Sequence, residues 1–229
     1  MTASKTRATR WLTAVLLALA AVPVAAGAAR LGSLAGGADI SAENARFFAA
    51  PVPVVLHVVG AILFSVLGAF QFVPRLRSRK SGWHRKVGRL LVVCGLVVAL
   101  SGLWMTQFYP NPVGDGDALY VLRMLFGTGM LVSMLMAIAA IRRRDFADHG
   151  AWMTRAYAIA MGAGTQVLTG LPYILLVGKE RQDEGVRAVL MGAGWVINLA
   201  VAEWRIRRAA RPRTASALRA AQAEPAAIA

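Results

Sequence analysis

The chain has 229 residues, 57% of them hydrophobic and only 16% charged, with a formal net charge of +15. A soluble domain carries about 25% charged residues, so the bilayer is the expected solvent. A basic excess of this size on a soluble fold would point to nucleic acid, but here Lys and Arg flank long apolar runs, and nucleic acid is excluded as a partner.

In chain order, residues 1–10 hold Lys5, Arg7 and Arg10, a short basic N-terminus expected on the cytoplasmic side. Six stretches then reach the roughly 20 residues a helix needs to cross a membrane core: Trp11 to Ala29, Val54 to Val73, Val87 to Phe108, Leu119 to Ile141, Ala151 to Val177, and Val186 to Trp204. Irregular backbone cannot face lipid, so these are helices. The fold class is all-α: a polytopic membrane helix bundle of six transmembrane helices forming one transmembrane domain, 11–204.

The gaps between spans alternate in charge. Pro74 to Lys86 and Arg142 to Gly150 are basic, whereas the others contain Asp39 and Glu43, then Asp115 and Asp117, then Glu180, Asp183 and Glu184. Lys and Arg in short flanking loops resist translocation, so the orientation is N-in/C-in. Residues 205–229, rich in Arg, Ala and Pro, form a basic cytoplasmic tail expected to be partly disordered and to begin as a continuation of the last helix. Juxtamembrane basic residues gain about 1 kcal/mol each from anionic inner-leaflet lipids. The excess of Arg over Lys and the abundance of Ala fit a GC-rich bacterial genome, hence a multi-pass protein of the bacterial inner membrane. The first span, with its basic start and the small residues Ala25 to Ala29, also has features of a secretory signal peptide. Its length, and the lack of a polar approach to a cleavage site, favour a retained helix.

Within the spans, polarity is confined to faces. On the fifth, Trp152, Arg155, Ile159, Gly162, Gln166, Thr169 and Tyr173 recur at spacings of three and four, one helical seam. On the second, His57, Ala61, Phe64, Gly68 and Gln71 do the same. The third carries Gly88, Gly95 and Gly102 at intervals of seven, a groove that admits a close neighbour, and these three helices are expected to pack tightly together. Such seams serve equally as interhelical hydrogen bonding, worth about 0.6 kcal/mol each, or as the lining of a cavity. Arg155 and Arg123 stand near span ends, where snorkelling or a partner such as Asp115 or Asp117 offsets their cost.

The three histidines sort by depth. His57 enters the outer half of its helix, while His84 and His149 open the third and fifth helices, which Ser81 and Asp145 are placed to cap, with Asp148 three residues after Asp145. Two histidines at one depth on facing helices are the ligand set of a membrane b-type haem, with arginines available to the propionates. His84 and His149 are the candidate ligands to haem iron, and Arg85, Trp152 and Arg155 would line the same site. His57 has no histidine partner at its own end, which excludes a second haem of that ligation. First-turn histidines also bind lipid phosphates or loop carbonyls through the same helix ends. The lone Cys94 lies inside a span, so neither a disulfide nor a cysteine metal site can form, and no zinc spacing, P-loop or nucleophile elbow is present.

Three segments carry a family resemblance: His57-Val-Val-Gly60 running into Gly68-Ala-Phe-Gln71-Phe-Val-Pro74-Arg-Leu-Arg77; Gly82-Trp-His84-Arg-Lys-Val-Gly88-Arg89; and Asp148-His149-Gly-Ala-Trp152-Met153-Thr-Arg155-Ala-Tyr157. Over roughly Val54 to Leu176 the chain resembles the bacterial membrane proteins grouped as domain of unknown function 2306. That resemblance implies a multi-spanning membrane protein, loosely similar in layout to b561-type cytochromes, and concentrates function at His57, Gln71, His84, Arg85, Gly88, His149, Trp152, Met153 and Arg155. An arginine common late in the family's fifth span is replaced here by Gln166 or a neighbour. The expected function is a polar intramembrane site near the cytoplasmic face engaged in haem- or quinone-linked electron transfer, with a quinone or redox partner. The alternatives are a small-molecule or lipid-binding, transport-related module lined by His57, Gln71, Gln166 and Tyr173, and a structural subunit of a membrane complex.

Overall fold

The computed structural model describes residues 3–73, 76, 82–178 and 182–223. Its helices are α1 (Ala3–Ala35), α2 (Ala45–Ala49), α3 (Pro51–Phe70), α4 (Trp83–Phe108), α5 (Asp117–Arg142), α6 (Phe146–Ala160), α7 (Gly162–Val177) and α8 (Glu184–Ala223). Six segments are long and apolar enough to cross a membrane, α6 and α7 together forming one of them. At 1.5 Å per residue, the 20 residues of α3 rise about 30 Å, the thickness of a bilayer core. Large apolar side chains stay outside the bundle on every span, among them Val15, Val93, Leu125, Leu168 and Val189, each more than half exposed. So continuous an apolar exterior is tenable only against lipid.

Local chemistry sets the boundaries. Pro51 occupies the first turn of α3, where its missing N–H is no loss. Asp145 caps α6, accepting from the backbone N–H of Ala147 at 3.1 Å and of Asp148 at 2.9 Å. That cap starts the helix at Phe146, earlier than the expected Ala151, and reduces the second basic loop to the turn 143–145, with Arg144 at φ 61°. The other expected cap, Ser81, lies outside the described residues; Gly82, at φ 60°, stands before α4 and makes no side-chain cap. The fifth span is interrupted at Met161. The last helix continues through Ala223, well into the segment expected to be a tail.

Helices α3, α4, α5 and α6 pack each on the next, and α6 touches α3 to close a ring; α8 lies against α5, α6 and α7, and α1 against α3 and α7. The ring is filled by Phe64, Leu91, Cys94, Met134 and Tyr157, with Ala137, Ala140 and Ala156 fully buried where helices approach closely. The expected triple contact of second, third and fifth spans is corrected here. The fifth span packs chiefly on the fourth and sixth, and the glycine groove of α4 receives side chains rather than a helix. A Cβ on Gly95 would stand 2.7 Å from Met134 Cε, one on Gly102 would stand 3.2 Å from His57 Cε1, and Gly88 faces nothing within 4 Å.

The alternating spans give the bundle two ends. The basic end holds the start of α1, residues 71–73 and 82, the turn 143–145 and the exit of α8. The mixed-charge end holds residues 36–50, 109–116 and the start of α8; Tyr109 Oη donating to Ala50 O at 2.6 Å and Arg46 Nη1 donating to Pro110 O at 3.3 Å join the first two, and Arg187 Nε donating to Asp115 Oδ1 at 2.6 Å brings in α8.

Candidate functional site: a central cavity beneath an arginine mouth

A cavity of about 450 Å³ occupies the half of the bundle nearer the mixed-charge end, and all six spans contribute to its wall. Its inner wall is apolar, with Phe126 stacked on Trp195 at a centroid distance of 4.8 Å. Polar groups enter sparsely, from His57, Ser65, Thr106 and Gln166, and its mouth is bordered by Arg46, Tyr109, Asn111 and Arg123. A largely apolar concavity with a few converging polar groups is the form that small-molecule sites take, within their usual range of about 300–1,000 Å³.

His57 lies six residues into α3, about 9 Å below its start. Its Nδ1 is 3.1 Å from Val98 O and 3.1 Å from Ser101 Oγ. The Ser101 hydroxyl donates its proton to Val97 O, so both neighbours of Nδ1 are acceptors and Nδ1 carries the hydrogen. That tautomer, assigned from the network, makes Nε2 an acceptor. Gly102 makes room for the ring, since a side chain there would crowd it.

The mouth is governed by one carboxylate. Asp115, with only 2% of its side chain exposed, lies 2.6 Å from Arg123 Nη2, an ion pair without the alignment of a hydrogen bond, and accepts a hydrogen bond from Arg187 Nε at 2.6 Å. Arg46 has no carboxylate within ion-pair distance among the described residues. Its guanidinium and that of Arg30 both lie over the Phe47 ring, 4.7 Å and 4.4 Å from the centroid. Burial lowers the Arg46 pKa, Asp115 raises it, and the charges of Arg123 and Arg30 lower it again.

At the basic end, His149 Nδ1 donates to Ala137 O at 2.9 Å, anchoring the ring to α5. His84 opens α4, half-buried, with Arg85 exposed beside it. Helices α4 and α6 sit across the ring from one another, both flanked by α3 and α5. Deeper in the ring, Tyr157 fills the space between, 5.5 Å from Phe72 and 5.8 Å from Phe64, its hydroxyl donating to Ser65 O at 2.7 Å. Arg155 is neutralised within the protein: Nε donates to Glu203 Oε1 at 2.5 Å, Nη2 to Oε2 at 3.2 Å, and its guanidinium lies 4.5 Å over Trp152. Gln71, at the end of α3, has both amide atoms buried without a hydrogen-bond partner among the described residues.

The polar seam of the fifth span faces α8. Gln166 Nε2 donates to Met191 O, Thr169 Oγ1 to Leu190 O, and Trp195 packs over Gly162. Thr165 and Asn198 add a hydrogen bond at 2.8 Å, and Asn198 also donates to Ala158 O. The seam is chiefly interhelical hydrogen bonding, and of its residues only Ile159 and Gln166 also border the cavity. Tyr173 and Gln71 are not among the cavity-lining residues. The seam of the second span divides: His57 and Ala61 line the cavity, Phe64 and Gly68 fill the ring, and Gln71 stands at the basic end.

Sequence reasoning did not single out Arg46, Trp195 or Glu203. Arg46 belongs to a short connecting helix without periodicity, although an arginine followed by two phenylalanines and a proline at a span entrance is a usable signal. Glu203 was readable as the acid of the last span, next to its expected end at Trp204 and available to Arg155.

No curated protein matches the chain, and no solved structure matches it. Residues 54–206, two thirds of the chain, match the profile of the family described as Predicted membrane protein (DUF2306). That stretch contains five of the six spans, His57, the Asp115–Arg123–Arg187 cluster and both basic-end histidines, while α1 precedes it. The chain is a multi-pass membrane protein that belongs to the DUF2306 family.

Proposed function

We propose that the protein binds a lipophilic small molecule in the central cavity, with the basic end facing the cytoplasm of a bacterial cell and the arginine mouth facing outward. The observation that carries this reading is the shared wall: all six spans, α1 included, surround one apolar space that has polar groups at His57 and at the mouth. A bundle packing only for stability would fill such a space, because voids forfeit dispersion contacts. His57, held by Nδ1, offers Nε2 to a ligand hydroxyl or similar donor, and Phe126 and Trp195 provide a flat apolar surface. Alternating charge in the loops supports the orientation. The lipid bilayer is the reservoir from which such a ligand would come.

The test uses tryptophan quenching by a terminally brominated dodecanol in detergent-purified full-length protein. Saturable quenching that disappears in Trp195→Phe, and that Ala61→Phe or Ala160→Leu suppresses in folded, monodisperse protein, supports the cavity reading. Quenching that rises without saturation and is indifferent to these substitutions overturns it.

A second reading, electron transfer through haem b or a quinone at His84 and His149, is favoured by one observation. The Nδ1–H of His149 is committed to Ala137 O, an arrangement that in metal-ligating histidines fixes Nε2 for coordination. Against it, Arg155 is already paired with Glu203 and Tyr157 fills the ring deeper in. An optical spectrum of protein expressed with haem supply, before and after dithionite, decides it. A Soret band lost in His149→Ala supports haem, and a featureless spectrum in folded protein removes it.

A further inference from the structure

We infer that the cavity's ligand is an anionic amphiphile, a carboxylate or phosphate head on an apolar chain, with the head held at the mouth by Arg46 and Arg123. This rests on the cavity reading above and names its ligand class. Two observations carry it beyond a generic apolar pocket. The cavity wall is apolar except for a few groups, yet two of the residues at its mouth are arginines. And among the described residues the charges there do not balance: Asp115, the one buried acid of that set, holds both Arg123 and Arg187, which leaves Arg46 and Arg30 over Phe47 without an ion pair.

The remaining acids described at this end, Asp39, Glu43, Asp117, Asp183 and Glu184, are all exposed and make no ion pair among the described residues. Their effect on the mouth is screened by water and salt. Arg46, by contrast, is half-buried and loses solvation that its neighbour Pro110 O restores only in part. A guanidinium in that position gains most from an anion that brings its own charge, because its planar fork fits carboxylate and phosphate oxygens. The apolar chain of the same ligand would run inward past Phe126 and Trp195 toward Met130. Arg123, already oriented by Asp115, would contribute its charge to the head.

The experiment compares brominated dodecanoic acid, brominated dodecyl phosphate and brominated dodecanol by Trp195 quenching in wild type, Arg46→Gln and Arg46→Lys, with protein-free micelles as blanks. The expected result is that the two acids bind wild type at least about tenfold more tightly than the alcohol, the order of effect of one charged hydrogen bond. Arg46→Gln should abolish that preference, with the alcohol still quenching saturably, and Arg46→Lys should keep most of it. Equal binding of acid and alcohol to wild type, or a preference that survives Arg46→Gln, overturns the anionic head and leaves the cavity reading standing. If none of the three probes quenches saturably, the cavity reading itself fails. Inorganic phosphate and acetate, added as competitors, separate the sources: displacement by either at millimolar concentration would identify a free anion as the ligand and overturn the amphiphile.

Discussion

Replacing Asp115 with Asn tests the electrostatic description of the mouth most directly. The substitution keeps the shape and a hydrogen-bonding oxygen but removes the counter-charge of two arginines, each 2.6 Å away. Removing one partner from a buried pair costs about 3–5 kcal/mol, because the remaining charge stays desolvated. Arg123 and Arg187 keep 25% and 33% of their side-chain surface exposed, so water recovers part of that loss, and a value near 3 kcal/mol is expected, about two powers of ten in the folding equilibrium. Equilibrium unfolding in mixed micelles, followed by tryptophan emission, measures it. A double-mutant cycle with Arg187→Gln should return a coupling energy of about 1–2 kcal/mol, within the range for residues sharing a network. The same variant should bind brominated dodecanoic acid more tightly than wild type, since the mouth has lost the buried negative charge of Asp115. Stability within about 0.5 kcal/mol of wild type, the range of an ordinary surface substitution, would refute the claim that Asp115 organises this end of the bundle.

Other substitutions probe separate parts of the fold. Gly68→Ala places a Cβ well inside contact distance of the Tyr157 ring, and the overpacking should cost about 1–3 kcal/mol in the same unfolding assay. Gly88→Ala, which meets nothing within 4 Å, should be neutral or stabilising by up to about 1 kcal/mol, since glycine is the poorer residue in a helix. Glu203→Gln removes the partner of Arg155 and should cost about 1–2 kcal/mol, less than a fully buried pair because both side chains are partly exposed; a shift below about 0.3 kcal/mol would mean the arginine is satisfied by lipid phosphate instead. Tyr157→Phe should lose roughly 1 kcal/mol with the hydrogen bond to Ser65 O, measured by the same unfolding midpoint.

The membrane class and the six spans were legible because they depend on additive, local properties: the length of an apolar run, the sign of the charge beside it, and the need of every backbone group in lipid for a hydrogen bond. Asp145 was readable as a cap for the same reason, since its partners are two and three residues away. The family resemblance also lay in short contiguous motifs around His57, His84 and His149. Beyond such local terms, periodicity could say that Gln166, Thr169 and Gly162 share a face, but a seam looks the same whether it meets another helix or encloses a cavity. Only tertiary structure decided that this face meets α8 and that Arg155 is neutralised by Glu203, 48 residues away. The cavity was legible only in part, with His57 and Gln166 lining it and Gln71 and Tyr173 not, because it is a space left between six helices and no window of sequence contains it. Nor could spacing show that Asp115 would be shared between Arg123 and Arg187, leaving Arg46 at the mouth without an ion pair among the described residues. Local hydrophobicity and charge fix which segments enter the bilayer; the order in which those helices pack determines which polar groups consume one another and which remain for a ligand.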